Sequence, residues 1–276
     1  MSRYLRFAAL GDSTTYGIGD PVPPSLSPTG WRGWARLLSD ALGSTHDVSF
    51  CNLAVSGATA RCVVAHQLAD GVAHRPDLAS LIVGVNDTMR STWSAQRLRD
   101  DLMLAAETLT DAGALLMTAR FHDHGRVLGL PGVLRRPLRA RLDAVNAVYD
   151  EVHATFGGLR VDLATWPQVH DRAFWSVDRL HPAETGHRLF ARAFADQLRA
   201  EGLDVEPPST EVAGGLPTSW RTDLHWVVTE GAPWMGRRAR DLGPWAVRMA
   251  WTDVRPRTAQ RVAGRVGQPP RVGSRA

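Results

Sequence analysis

Ser13, Asp178 and His181 supply a hydroxyl, a carboxylate and an imidazole, the groups from which a chain can build an activated serine nucleophile. Ser13 follows the apolar run Phe7–Leu10 and Gly11. That places it at the carboxyl end of a first parallel strand, where open α/β sheets bind their ligands. Asp178 and His181 are three apart, so a single turn lets carboxylate and imidazole meet. The carboxylate would fix the tautomer and stabilise the imidazolium, leaving the other ring nitrogen for a serine. Acyl transfer to serine also needs donors for the oxyanion. Gly57 has no side chain to obstruct its N–H, and Asn86 carries an amide donor at the tip of another strand. Singly, each residue has a plainer reading: Ser13 caps a helix, Asp-x-x-His arises by chance, and Asn86-Asp87 makes a turn. Their order and their common placement at strand ends are what give the set its meaning.

The elements that must hold these residues can be followed along the chain. After Ser13 comes a Gly/Pro/Ser-rich loop, Gly17 to Gly30, with room to form one wall of a site. The spacing of Trp34, Leu37, Leu38 and Ala41 predicts a helix over about 31–42, with Thr29 as its cap. Residues 47–53 read as a second strand, and the turn Ala54–Thr59 opens a helix ending before Pro76. Leu78 to Val83 is the most apolar strand candidate and leads into Gly84-Val85-Asn86-Asp87. A helix over about 94–112, a strand over 114–119 and a long loop over 121–136 follow. A helix from Pro137 to Phe156, a short strand over 159–163 and a helix from Pro182 to about Ala200 complete the pattern. Strands of four to six residues alternating with helices imply a parallel sheet covered on both faces.

Composition narrows the class. The 276 residues are 44% hydrophobic, enough for one sizeable core, and no apolar run is long enough to span a membrane. No signal core precedes the first strand, and Cys51 and Cys62 have the spacing of neither a zinc site nor a redox pair, so both read as buried free thiols. A cytoplasmic protein is expected. Every basic residue is arginine. Through Glu206 there are 21 arginines against 23 acids, and from Pro207 onward 11 against 5, so the body carries −2 and the tail +6.

Gly11-Asp12-Ser13, Gly57 in Asn52–Gly57, Gly84-Val85-Asn86-Asp87 and Asp178-Arg179-Leu180-His181-Pro182 stand in the order of the conserved blocks of the SGNH (GDSL-type) hydrolases, and residues 5–200 resemble that family. Thr14 stands where the family's name has leucine, and no Gly-x-Ser-x-Gly elbow occurs. The resemblance implies a flavodoxin-like three-layer α/β/α domain and a serine esterase or deacylase acting on small or medium acyl esters. It implies Ser13 as nucleophile, His181 as base and Asp178 as its orienter, with the Ser13 N–H, the Gly57 N–H and the Asn86 side chain as oxyanion donors. Asp12 and Asp87 would play supporting roles, Asp87 bracing the turn that aims Asn86.

No metal or other cofactor is expected. His122-Asp123-His124 lacks an obvious third ligand and reads as a solvated loop or a substrate-facing wall. His187 reads as structural. Tyr16, Trp31 and Trp175 are candidates for an acyl pocket, although large aromatics are usually core. The domain reading is a catalytic unit over 1–206, an Arg/Trp-rich extension over 207–254 packed on the body, and a disordered tail over 255–276. With Trp220, Trp226, Trp234, Trp245 and Trp251 among its arginines, the extension also has the composition of a peripheral membrane contact; nucleic acid is not an expected partner. Two alternatives stay open: an acyltransferase using the same acyl-enzyme, and an anionic-surface binding protein acting through its tail.

Overall fold

All five residues of the strand Leu78–Ile82 are buried, and so is nearly every residue of Tyr4–Gly11 from Leu5 onward. Strands buried on both faces need helices above and below them. The computed structural model, which describes residues 4–212, has that architecture. The strands are β1 (Tyr4–Gly11), β2 (Asp47–Asn52), β3 (Leu78–Ile82), β4 (Leu115–Arg120) and β5 (Leu159–Asp162), and the helices α1 (Ser13–Tyr16), α2 (Gly33–Leu42), α3 (Ala60–His66), α4 (Leu68–Ala73), α5 (Val85–Thr88), α6 (Ala95–Asp111), α7 (His124–Val127), α8 (Gly132–Phe156) and α9 (Glu184–Ala200). Every pairing is parallel, in the order β2-β1-β3-β4-β5, so the fold is the flavodoxin-like α/β/α arrangement that the resemblance implies.

On one face α2 packs against α9, with Trp34 fully buried at 5.0 Å from Phe190 and 5.2 Å from Phe194, ring centre to ring centre. On the other, α6 lies against α3, α4 and α8. The order has one functional consequence. The chain leaves β1 for β2 and then returns past β1 to β3, so the connections after β1 and β3 diverge. The crevice between the carboxyl ends of β1 and β3 is the switch point, and Ser13 and Asn86 stand at its two sides.

Several expected boundaries move, each for a local reason. Helix α2 starts at Gly33, and Thr29 does not cap it: its hydroxyl pairs with Ser27 in the preceding loop. The Gly33 N–H instead donates to Asp20 (3.1 Å), and φ of +72° with Gly17 directly behind leaves no room for a side chain there. The 121–136 loop holds two helical pieces, because α8 begins at Gly132 with Pro137 in its second turn rather than at its first position. A proline there forfeits one backbone bond, a cost that the packing of Leu138, Leu142 and Val145 outweighs. Pro182 is likewise outside α9; it pairs with Trp175 in an isolated bridge. The helix after Thr59 is split into α3 and α4 at Gln67. Cys51 and Cys62 are free but half-buried rather than buried. Residues 207–212 run without regular structure, and the extension from 213 onward, with the expected disordered tail, lies outside the described residues.

Candidate active site

Where a strand outruns its neighbours, its last buried backbone groups must be satisfied from elsewhere. Three side chains supply the bonds. Gln67 accepts from the Gly11 N–H and donates to the Gly11 carbonyl (2.9 Å each), fixing β1 two residues before Ser13. The Tyr149 hydroxyl accepts from Val83 N–H (3.0 Å) and donates to Val83 O (2.8 Å), fixing the end of β3 ahead of Asn86. Asn146 does the same for Phe121 at the end of β4, at 2.7 and 2.8 Å. Tyr149→Phe keeps the ring and orphans both Val83 groups. It is expected to lower stability by about 1–3 kcal/mol, measurable by denaturant unfolding.

Ser13 opens the short helix α1, so its N–H is one of the first-turn amides that have no intrahelical acceptor. Asp12 caps this turn through Thr14 N (3.1 Å), and Gly17 ends it in a left-handed conformation. The turn Asp178–His181 is closed at its base by Ser176 N to His181 O (2.9 Å) and Ala183 N to Phe174 O (2.8 Å), with Arg179 at φ +54°. Asp178 Oδ1 accepts from the Leu180 and His181 amides (2.9 and 3.0 Å) and from the Ser176 hydroxyl (2.6 Å). Its Oδ2 lies 2.5 Å from His181 Nδ1, and His181 Nε2 lies 2.7 Å from Ser13 Oγ. Burial alone would raise the Asp178 pKa. The His181 ring, its amide and the Ser176 hydroxyl outweigh it and bring the carboxyl down to about 2. With Oδ2 ionised, Nδ1 carries the proton and Nε2 presents its lone pair to the serine.

Two further contacts lock the serine and histidine segments together. Arg32 makes a two-pronged ion pair with Asp20 and reaches Glu184 on α9 (2.9 Å), while Arg188 holds Glu184 from behind. The fully buried His187 accepts from Trp34 N (3.2 Å) and donates from Nε2 to Ile18 O (3.0 Å), the structural part read from its sequence position.

Among the oxyanion candidates, Asn86 is buried and donates to Asp12 Oδ2 (3.3 Å) and Ala58 O (3.1 Å). Gly57 sits in the turn after β2 at φ +80°, one residue before the carbonyl that Asn86 holds, but it is not part of the cavity wall beside Ser13. Asp87 receives the Ala60 N–H at 3.1 Å on one oxygen and 3.3 Å on the other, so it braces the start of α3 against the Asn86 turn. Desolvation, reinforced by the charges of Asp12 and Asp101 against opposing amide bonds, lifts its pKa to about 7.

A cavity of about 30 Å³ opens beside Ser13 and His181, walled by Met89, Phe121, Leu163, Phe174 and Trp175 together with His122 and His124. The two histidines are 3% and 6% exposed, so they form a wall rather than a solvated loop. Trp175 belongs to this wall, whereas Tyr16 and Trp31 line a separate cavity of about 360 Å³ with Phe50 and Arg36. Among the described residues no cluster of His, Cys, Asp and Glu could hold a metal ion, and no helix is long and apolar enough to cross a membrane.

Sequence reasoning missed Gln67, Asn146 and Tyr149; Gln67 lies at the junction of α3 and α4, the other two lie within α8, and each bonds to backbone far away in the chain, so no local pattern marks such a residue.

Residues 9–189 match the model of the GDSL-like lipase/acylhydrolase family. An acetylxylan esterase from Geobacillus stearothermophilus is 25% identical over 181 residues, covering 63% of this chain and 82% of the enzyme. Among solved structures, a variant of an acetyl xylan esterase from the same organism superposes with a TM-score of 0.57 at 21% identity, over 75% of this chain and 98% of the other. A lipase/acylhydrolase from Enterococcus faecalis does so with 0.55 at 21% identity, over 74% and 99%. The psychrotrophic esterase EstA from Pseudoalteromonas sp. gives 0.54 at 14% identity, over 72% and 99%. At these identities the structures speak for the fold; it is the family model, matched across two-thirds of the sequence, that settles membership. The chain belongs to the GDSL-like lipase/acylhydrolases and is a carboxylic ester hydrolase of the SGNH type.

Proposed function

We propose that this hydrolase cleaves short acyl esters, with acetyl as the best-fitting acyl group, through an acyl-enzyme on Ser13. The observation that carries the reading is the unbroken hydrogen-bonded chain from Ser13 Oγ through His181 to Asp178. His181 Nε2 takes the serine proton as Oγ attacks the ester carbonyl. The imidazolium so formed is stabilised by the ionised Asp178 and returns the proton to the departing alkoxide. Water then attacks the acyl-enzyme by the same route, and the acid leaves.

The Ser13 N–H and the Asn86 amide flank the position of the developing oxyanion, with the Gly57 N–H as the third proposed donor. Asn86 would trade its long bond to Asp12 for one to the oxyanion while keeping Ala58, a change that occurs only as charge develops. Asn86→Ala is therefore expected to lower kcat about 10²- to 10³-fold with little change in KM. Full activity in a folded Asn86→Ala protein would remove it from this role.

Acyl size follows from volume. About 30 Å³ is room for roughly two waters, at ~10–15 Å³ each. An acetyl methyl and its carbonyl fill that space, and a longer chain would extend beyond it. That the matched Geobacillus enzyme is named an acetylxylan esterase agrees with this size. Hydrolysis of p-nitrophenyl acetate, butyrate and dodecanoate tests it. Acetate should be the fastest and dodecanoate barely turned over, whereas a preference for dodecanoate would contradict the reading.

A further inference from the structure

One member of the cavity wall is not used by the acyl-transfer steps. His122 is 3% exposed, yet neither ring nitrogen has a hydrogen-bond partner. Its ring is not free to seek one. It stacks on His124 with 4.0 Å between ring centres, leans on Trp175 at 4.7 Å, and follows Phe121, whose backbone Asn146 holds at both ends. His124 is itself anchored, its Nδ1 donating to the His122 carbonyl at 3.2 Å.

Burial, reinforced by His124 and His170, drives the His122 pKa well below its usual range, so the ring is neutral. A neutral imidazole offers one N–H and one lone pair. Buried polar groups are nearly always satisfied, and where the protein supplies no partner the natural partner is what enters the cavity. A phenylalanine would fill the same volume without this penalty. A neutral ring has no charge with which to favour a carboxylate or phosphate, but it suits a hydroxyl, which can accept from the N–H or donate to the lone pair.

We propose that His122 is a specificity-determining residue that selects esters carrying a neutral hydroxyl next to the scissile group. The assignment rests on reading the Ser13 cavity as the ester site. The hydroxyl can come from either side of the ester: from the acyl part, as in a glycolate, or from the alcohol part, as in a polyol acetate.

The test measures kcat/KM for ethyl acetate, ethyl glycolate and glycerol monoacetate with the wild type, His122→Phe and His122→Gln. The wild type should favour at least one hydroxylated ester over ethyl acetate. His122→Phe should reduce that ratio by about 10- to 100-fold, whatever happens to the absolute rates, because the partner of the hydroxyl is gone. His122→Gln, which keeps a donor and an acceptor, should recover part of it. Which hydroxylated ester loses its advantage identifies the side that His122 reads. A ratio unchanged in a folded His122→Phe protein, or no preference in the wild type, would overturn the assignment and leave the esterase reading standing. No hydrolysis of any of the three by the folded wild type would instead overturn that reading, and this assignment with it.

Discussion

Ser13→Ala is expected to lower kcat for p-nitrophenyl acetate by about 10⁴- to 10⁶-fold while leaving the fold unchanged. The size of the loss follows from what the hydroxyl does. In the proposed mechanism it is the atom that forms the covalent bond, and without it His181 would have no proton to take from the protein; only the cavity and the proposed oxyanion donors would remain to act on water. The fold is insulated because the hydroxyl's bonding is to His181 (2.7 Å), while the α1 turn is held by Asp12 at its start and Gly17 at its end. Unchanged circular dichroism and unfolding midpoint, together with the lost rate, would separate a chemical effect from a structural one. A Ser13→Ala protein with more than a few per cent of wild-type turnover would mean that another group attacks the ester.

Asp178→Asn comes second, with an expected loss of about 10⁴-fold in kcat. An amide that donates to Nδ1 favours the tautomer with the proton on Nε2, which points an N–H rather than a lone pair at Ser13 Oγ. It also removes the charge that stabilises the imidazolium. The same carboxylate affects acid stability. Its pKa is about 2 in the folded protein against an ordinary 3.8, so between those values the unfolded chain holds a proton that the folded chain does not. The stability this group contributes is therefore complete above about pH 4 and is lost as pH falls toward about 2. Chemical denaturation at a series of pH values should give a shallower acid limb for Asp178→Asn than for wild type. Identical limbs would mean that the carboxylate is not held ionised by its partners.

Ser13, Asn86 and the Asp178–His181 pair were legible in the sequence because their geometry is local. Ser13 and Asn86 follow apolar strands directly, and three residues are enough to close the turn that joins Asp178 to His181. The parallel sheet was legible for a related reason, since strands such as Leu78–Ile82 are apolar but for Ser80 and alternate with amphipathic helices. The 2-1-3-4-5 order was not, because it depends on which face each crossover covers.

The misreadings share one cause. Proline at a first helical position is a common arrangement, and it drew the start of α8 to Pro137 and of α9 to Pro182. In the fold, tertiary packing decided both. Thr29 has the side chain of a cap, but Asp20 reaches the Gly33 amide from another part of the loop. For His122 and His124 the sequence left a solvated loop and a cavity wall both open; the wall is decided by packing on Trp175, far along the chain. What escaped the sequence was side chains acting on backbone at long range: Gln67 on Gly11, Tyr149 on Val83 and Asn146 on Phe121.

The central claim is that Ser13 is the covalent nucleophile, and reaction with a fluorophosphonate tests it most directly. Such a reagent is attacked as an ester would be but leaves a stable adduct, so slow or fast deacylation does not blur the result. The expected outcome is one phosphonyl group per chain, mapped by peptide mass spectrometry to Ser13. Esterase activity should be lost in step with labelling, and Ser13→Ala should take up no label. Full esterase activity in protein that resists labelling, or a stoichiometric adduct on a residue other than Ser13, would contradict it.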